Sequence, residues 1–208
     1  MSAGMLLLMI AAVLVLCGLL QRVLDRMYLS DRAALLVIGA MLVGTFLPNL
    51  KLGVASVNIG GALIPLGVCV WLFIRADESL ERWRVLLGSL LTGAAVYGLT
   101  RLLPAEAEQL PVEPMLLYGA AGGLIAWLLG RSRRGAFICG VTGVILADVA
   151  SAVINWLSGI RQVLVLGGAG ITDAVVISGI LAVMLCELVG ETMERIVRRR
   201  KAEGGDRQ

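Results

Sequence analysis

Seven long apolar stretches, each free of lysine and arginine, alternate with charged connections along this chain of 208 residues. A helix needs about 20 mainly apolar residues to cross a bilayer core roughly 30 Å thick. The stretches cover residues 4–20, 33–50, 52–74, 85–100, 115–130, 136–156 and 163–189. We therefore expect an all-α, polytopic membrane protein with about seven transmembrane helices.

The composition supports this class of protein and excludes several others. Apolar residues make up 59% of the chain and charged residues 16%, whereas soluble domains have about 45–50% and about 25%. An ordinary soluble globule, a disordered tail and a nucleic-acid-binding protein are excluded, and the lipid bilayer is the expected partner. Because the chain has no histidine, a His-ligated zinc site, a Ser-His catalytic pair and a histidine proton relay are excluded too. The four cysteines form no CxxC pair, and we expect neither a cofactor nor a metal.

The basic residues fall on alternate connections, and this predicts the orientation in the membrane. One set of connections, with the tail, holds 15 lysine and arginine residues, and the other set holds 3. Positive residues concentrate on the cytoplasmic side, so we expect the N-terminus outside and the C-terminus in the cytoplasm. Residues 1–194 are expected to form a single transmembrane helical domain, and residues 195–208 a basic cytoplasmic tail. The expected location is the cell (inner or plasma) membrane, with the first stretch retained as a helix.

Three acidic residues, Asp148, Asp173 and Glu187, lie within the apolar stretches. Ionisable residues in a membrane span are costly and usually face the interior of the bundle or a water-filled path. Asp148 and Asp173 occupy consecutive antiparallel segments, and a rise of 1.5 Å per residue places both about 12–15 Å below the outer surface. We therefore expect the two carboxyl groups to be neighbours. Ser151 and Asn155 follow Asp148 at helical spacing and extend a polar stripe outward.

Two glycine-rich elements lie at similar depths in the third and seventh stretches. Residues 167–170 read Gly-Gly-Ala-Gly and lead through Thr172 into Asp173. So many glycines favour an unwound or re-entrant backbone, whose free amide and carbonyl groups line a cavity. In the third stretch Asn58 precedes a glycine pair and Pro65, which predicts a second interruption. Close helix packing explains the glycines at least as well, but packing alone does not explain a buried acid.

These observations define a candidate site for a small solute, a proton or a cation. The candidate ligand- or ion-binding residues are Asp148, Asp173, Asn58, Ser151, Asn155 and Thr172.

The two glycine-rich elements resemble those of a family of small prokaryotic multi-pass membrane proteins known as domain of unknown function 1614. The similarity rests on residues 58–65, on residues 167–173 and on the Ser178-Gly179 pair that follows. The resemblance implies that these elements form the core of the family, and it implies no activity.

Two looser resemblances suggest activities. Intramembrane aspartyl proteases of the presenilin and prepilin-peptidase kind place paired aspartates on two helices, the second within a Gly-x-Gly-Asp motif. Here two residues separate Gly170 from Asp173, and no Pro-Ala-Leu follows. Small seven-helix transporters, built as three helices, a linker helix and three more, share the predicted orientation.

Three functional hypotheses follow. The first is binding or transport of a small solute or ion, with Asp148 and Asp173 as ligands for a proton or cation. The alternative is an intramembrane aspartyl protease, in which the same two carboxyl groups share one proton and activate water. The third is a non-catalytic membrane scaffold whose polar residues fix the helix register. Gly119 and Gly123 indicate a helix contact within the chain or between copies, so a homo-oligomer is left open.

Overall fold

The computed structural model of the protein describes residues 13, 30–76, 79–102, 114–130, 132–170 and 173–205, and these are mostly helical. Within them lie six α-helices: α1 (Asp31–Phe46), α2 (Ile64–Ile74), α3 (Ser79–Leu102), α4 (Pro114–Gly130), α5 (Arg133–Leu157) and α6 (Ala174–Gly205). A π-helical turn, Ile59–Leu63, runs directly into α2. The first predicted stretch, residues 4–20, lies outside the described residues except for Val13. Helix α6 continues without a break across the predicted domain boundary at residue 194.

The mostly helical structure is consistent with the all-α expectation, and a small sheet of three short strands adds to it. Its strands are β1 (Leu50–Leu52), β2 (Ala55–Val57) and β3 (Leu164–Leu166), in the order β1-β2-β3. Strands β1 and β2 form an antiparallel hairpin that turns at Gly53, where φ is +60°. Strands β2 and β3 pair in parallel, with Val57 opposite Leu166. The third and seventh apolar stretches therefore begin as strands and become helical only further along.

Glycines at the helix contacts let neighbouring helices pack closely in the bundle. A Cβ atom added to Gly143 in α5 would lie 2.6 Å from Cγ2 of Thr92 in α3. In α4, Gly119 packs on Ile177 and Gly123 packs on Leu181, both in α6. Small residues that allow helix backbones to approach closely are characteristic of membrane helix packing. The Gly119 and Gly123 pair thus serves a contact within the chain.

The outer faces of the helices are apolar. Two helices in the described residues, α3 and α5, are long and apolar enough to cross a membrane. In α3, 33% of the most apolar 18 residues are buried, so most of this stretch is not covered by the rest of the bundle. Large exposed apolar side chains cover the outside of the bundle; examples are Leu36, Val43, Leu87, Leu90, Leu128 and Leu146. Four shorter helical segments are apolar as well: Arg32–Phe46, Ile59–Ile74, Leu116–Leu129 and Ala174–Gly190.

The two ends of the bundle differ in chemistry. The sheet and the turn that connects α5 to β3 lie at one end. At the other end, arginine and glutamate side chains from α3, α5 and α6 pair with one another. Glu187, one of the three acids in the apolar stretches, belongs to this charged end, where it pairs with Arg133.

Candidate functional site

Two strand-to-helix junctions lie side by side beneath the sheet. In the first, β2 leads through Asn58 into the π-helical turn and α2. In the second, β3 leads through residues 167–170 to Asp173, which directly precedes α6. Because β2 and β3 are parallel, the two segments pass from strand to helix in the same direction and at the same end of the bundle. The third and seventh stretches are therefore not continuous helices, and the interruptions lie at their glycine-rich positions.

Asn58 connects the first junction to the sheet through several hydrogen bonds. Its side-chain Oδ1 accepts from the backbone N–H of Gly61 at 2.8 Å, which caps the start of the π-helical turn. Its Nδ2 donates to Oδ1 of Asn49 at 2.8 Å. Its backbone N–H donates to the Leu166 carbonyl on the neighbouring strand at 3.0 Å. Asn58 is 3% exposed, and both ends of its amide have a protein partner.

The second junction is a turn that needs glycine at two points. Gly167 and Gly170 have φ values of +64° and +62°, in the left-handed region that residues with a Cβ rarely adopt. The N–H of Gly170 donates to the Gly167 carbonyl at 2.8 Å, and the N–H of Asp173 donates to the Gly170 carbonyl at 3.1 Å. These bonds fold the backbone tightly ahead of α6.

The carboxyl group of Asp173 is held by two backbone donors. Oδ1 accepts from the N–H of Val175 at 3.0 Å, and Oδ2 accepts from the N–H of Ala169 at 3.3 Å. Aspartate at this position caps a helix N-terminus, where the dipole and the free N–H groups favour a negative charge. Asp173 is 7% exposed. Asp173 therefore stabilises the turn and the start of α6, and it places a buried carboxyl group at the junction.

Asp148 approaches Asp173 from helix α5. It is half-buried, and its carboxyl group lies close enough to Asp173 for the two charges to repel each other. Among the described residues it has no hydrogen-bond or salt-bridge partner. The described ion pairs join other residues. Asp148 therefore lies within electrostatic range of Asp173, and neither aspartate has a salt-bridge partner among the described residues.

The other predicted site residues have different surroundings. Ser151 is half-buried one turn outward from Asp148 on α5. Asn155 donates from Nδ2 to Oε1 of Gln162 at 3.1 Å, and this bond lies in the connection between α5 and β3. Thr172 lies outside the described residues. No group of three or more side chains suited to hold a metal ion occurs in the described ranges.

Helix α1 contributes to the junction in a way that sequence reasoning missed. Gly44 packs on the backbone of Gly60, and the Thr45 side chain lies against Gly170. Thr45 Oγ1 donates to the Met41 carbonyl at 2.8 Å. The signal available in the sequence was a Gly-Thr pair near the end of the second apolar stretch, which by itself is too common to indicate a site.

Together, the fold and this junction define a helical protein with span-length apolar helices and two parallel strand-to-helix elements. Residues 36–185 match the family model described as "Protein of unknown function (DUF1614)". The chain belongs to this family, which confirms the first resemblance that the sequence predicts. The match includes both glycine-rich elements, Asp148 and Asp173. Neither the curated proteins nor the solved structures compared with the chain gave a match, and the likeness to intramembrane aspartyl proteases is not shown.

Proposed function

We propose that this protein is a multi-pass membrane protein that binds a proton or a small cation between Asp148 and Asp173, as a step in moving an ion or a small solute. The proposal includes the seven spans and the orientation predicted from the charges, with the sheet end outside. The observation that carries it is that Asp148 and Asp173 lie within electrostatic range of each other, and that neither has a described salt-bridge partner.

Electrostatics supports a positively charged ligand. Two like charges at short range disfavour each other, and burial increases the penalty. Such a pair is stabilised when a proton or cation binds between the two groups. Asp173 accepts two backbone N–H bonds, which stabilise a carboxylate. Asp148 has no such bonds among the described residues. We therefore assign Asp148 as the group that takes up and releases the proton or cation.

The backbone around the pair also supports a binding site. Ion and substrate sites in membrane transporters are commonly built at interrupted helices, where irregular backbone lines a cavity. The turn at residues 167–170 and the π-helical turn at Ile59–Leu63 are interruptions of this kind. Both occur where the chain enters the bundle from the sheet end.

The protease alternative lacks a comparable observation. In a protease the paired aspartates share one proton and activate water beside the scissile bond. Both carboxyl groups therefore need to be accessible to substrate. The oxygens of Asp173 instead accept helix-capping bonds, and the Gly-x-Gly-Asp spacing is absent. The scaffold alternative predicts that removing the charges leaves ion-dependent behaviour unchanged, and the same experiment tests it.

The experiment measures how cations change thermal stability. The purified protein is placed in lipid nanodiscs, and its unfolding temperature is followed in lithium, sodium, potassium, magnesium and calcium chloride. N-methylglucamine chloride of equal ionic strength is the reference, and a pH series tests the proton. A ligand that binds only the folded protein stabilises it by about 2.7 kcal/mol at one hundred times its dissociation constant. We expect at least one cation, or acid pH, to raise the unfolding temperature.

Asp148→Asn keeps the size of the side chain and removes its charge. This variant should be more stable than the wild type without ligand and should lose the response to the cation. Asp206→Asn makes the same chemical change near the end of the chain and should keep the wild-type response. An equal response in the wild type and in Asp148→Asn would overturn the site, and no response to any cation or pH would favour the scaffold.

A further inference from the structure

We propose that the ion pairs at the charged end of the bundle form a gate, which closes the aspartate site on that side and opens when the site is neutralised. This inference rests on the proposed function, because a gate matters only to a site that exchanges its ligand with both sides. It concerns the Arg133–Glu187 and Arg134–Glu81 pairs, which we call the ionic gate.

The first pair of the ionic gate joins α5 to α6. Arg133 is at the start of α5 and donates from Nε to Oε2 of Glu187 in α6. The side chains are only 12% and 18% exposed, so solvent screens this pair less than a surface ion pair. These two helices also carry Asp148 and Asp173. The pair therefore joins, at the far end, the two helices that form the site.

The second pair joins α5 to α3 and extends to α2. Arg134 Nη2 donates to Oε2 of Glu81 at 3.4 Å, and Ser132 Oγ donates to Oε1 of the same carboxylate at 2.9 Å. Arg134 Nη1 also donates to the Arg75 carbonyl beyond the end of α2, at 3.3 Å. Arg82 Nη2 in α3 donates to the Ala76 carbonyl, just after the end of α2, at 2.9 Å. Four helices are thus tied together at this end of the bundle.

The sheet end has no ion pair among the described residues. Its elements are joined by the pairing of β2 with β3 and by uncharged side-chain bonds such as Asn58 to Asn49 at 2.8 Å. Around Gln162, Asn155 donates to the Gln162 side chain, and Trp156 Nε1 donates to its carbonyl at 2.8 Å. Glu187 lies fourteen positions beyond Asp173, which is about 21 Å along a helix. The ion pairs therefore lie far from the aspartates, at the opposite end of the same two helices.

The labelling rate of the native Cys186 measures how accessible the ionic gate is to solvent. Cys186 is adjacent to Glu187, is half-buried and lies within electrostatic range of Arg133. Cys69 and Cys139 are 2% and 0% exposed and can stay in place, and Cys17 is replaced by serine. The experiment measures the rate at which a charged, membrane-impermeant maleimide labels Cys186 in nanodiscs. The Cys186→Ser variant gives the background.

Three sets of variants test whether the ion pairs control access. Glu187→Gln and Arg133→Gln should each raise the labelling rate by roughly threefold to tenfold, since each breaks a partly buried ion pair. The charge swap, Arg133→Glu with Glu187→Arg, should bring the rate back toward the wild-type value. Arg84→Gln removes an exposed arginine of α3 that has no described partner, and it should leave the rate unchanged. An unchanged rate in Glu187→Gln and Arg133→Gln would overturn the gate.

The decisive variants lie at the aspartates. Asp148→Asn with Asp173→Asn mimics a neutralised site, and a gate coupled to that site predicts faster labelling of Cys186, about 20 Å along the helix from Asp173. Ion pairs that only hold helices together predict the wild-type rate in this variant, and that result would overturn the gate even if cations bind. Faster labelling together with no cation or proton response in the stability experiment would support the gate and reject the proposed ligand. The two proposals can therefore fail separately.

Discussion

The backbone of Gly61 packs directly against the carbonyl groups of the Gly167–Gly170 turn. A Cβ atom added to Gly61 would lie 2.6 Å from the Gly170 carbonyl oxygen and closer still to the Gly167 oxygen. The two glycine-rich elements, which are separated by more than a hundred residues in the sequence, thus form one contact. This contact positions Asp173, since Gly170 accepts the N–H of that aspartate.

We expect Gly61→Ala to destabilise the protein. The added methyl group would overlap backbone atoms that cannot rotate away, and overpacking of this kind costs about 1–3 kcal/mol. Gly67→Ala is the matched control, because a Cβ at Gly67 in α2 would meet nothing within 4 Å. That change should be neutral or stabilise by up to about 1 kcal/mol, since alanine favours helix. The midpoint of thermal unfolding in nanodiscs measures both, and equal stability of the two variants would contradict the close contact.

We expect the two roles of Asp173 to separate by substitution. Asp173→Ala removes the acceptor for the Val175 N–H and should lower the free energy of unfolding by about 1 kcal/mol, as the loss of a helix cap does. Asp173→Asn retains an acceptor oxygen and should lose less stability, while the negative charge is gone. Chemical unfolding of both variants without added cation is the measurement. If asparagine and alanine destabilise equally, the capping role of Asp173 is wrong.

Local signals in the sequence predicted most of the helical architecture. Lysine- and arginine-free runs located α1, α3, α4 and α5 to within about six residues, since each helix needs a continuous apolar surface. The third and seventh runs begin about eleven or twelve residues before α2 and α6, because each run enters as a strand, and α6 continues about 16 residues past the seventh run. The sheet was not predicted, because its strands have only three residues each. Such short strands are stable only through pairing between β2 and β3, which are distant in the sequence. Helical periodicity carries no information about that pairing.

The candidate site was predictable in part. A shared depth led to the prediction that Asp148 and Asp173 are neighbours, and the glycines before Asp173 indicated a break in the helix. The sequence did not predict that Asn58 has its side-chain amide fully engaged with Gly61 and Asn49. It also did not predict the contact of Thr45 with Gly170. The Thr45 contact depends on the way α1 packs on the junction, whereas the Asn58 bonds depend on the local turn from β2 into the π-helical turn.

We expect Asn58→Ala to be much more damaging than Asn49→Ala. Asn58→Ala leaves the N–H of Gly61 buried without its side-chain acceptor, which costs about 1–3 kcal/mol. Asn49 is exposed, so water can replace its bond to Asn58 and the loss should be smaller. Unfolding midpoints of the two variants, measured in parallel with the wild type, give the comparison. Equal losses would show that the capping bond to Gly61 contributes little.

Two threonines at the contact between α3 and α5 should respond in opposite directions. Thr92 Oγ1 is fully buried and has no hydrogen-bond partner in the described part of the chain, whereas Thr142 Oγ1 lies 2.7 Å from Oγ of Ser89. Valine has the same shape without the hydroxyl group. Thr92→Val should therefore be neutral or stabilise by up to about 1 kcal/mol, because it removes an unpaired buried hydroxyl. Thr142→Val should destabilise by about 0.5–1.5 kcal/mol, because it removes the hydrogen bond that Thr142 donates to Ser89 Oγ, which itself donates to the Val85 carbonyl. Unfolding free energies in the same nanodiscs measure both changes, and a destabilised Thr92→Val would mean that the Thr92 hydroxyl has a partner outside the described residues.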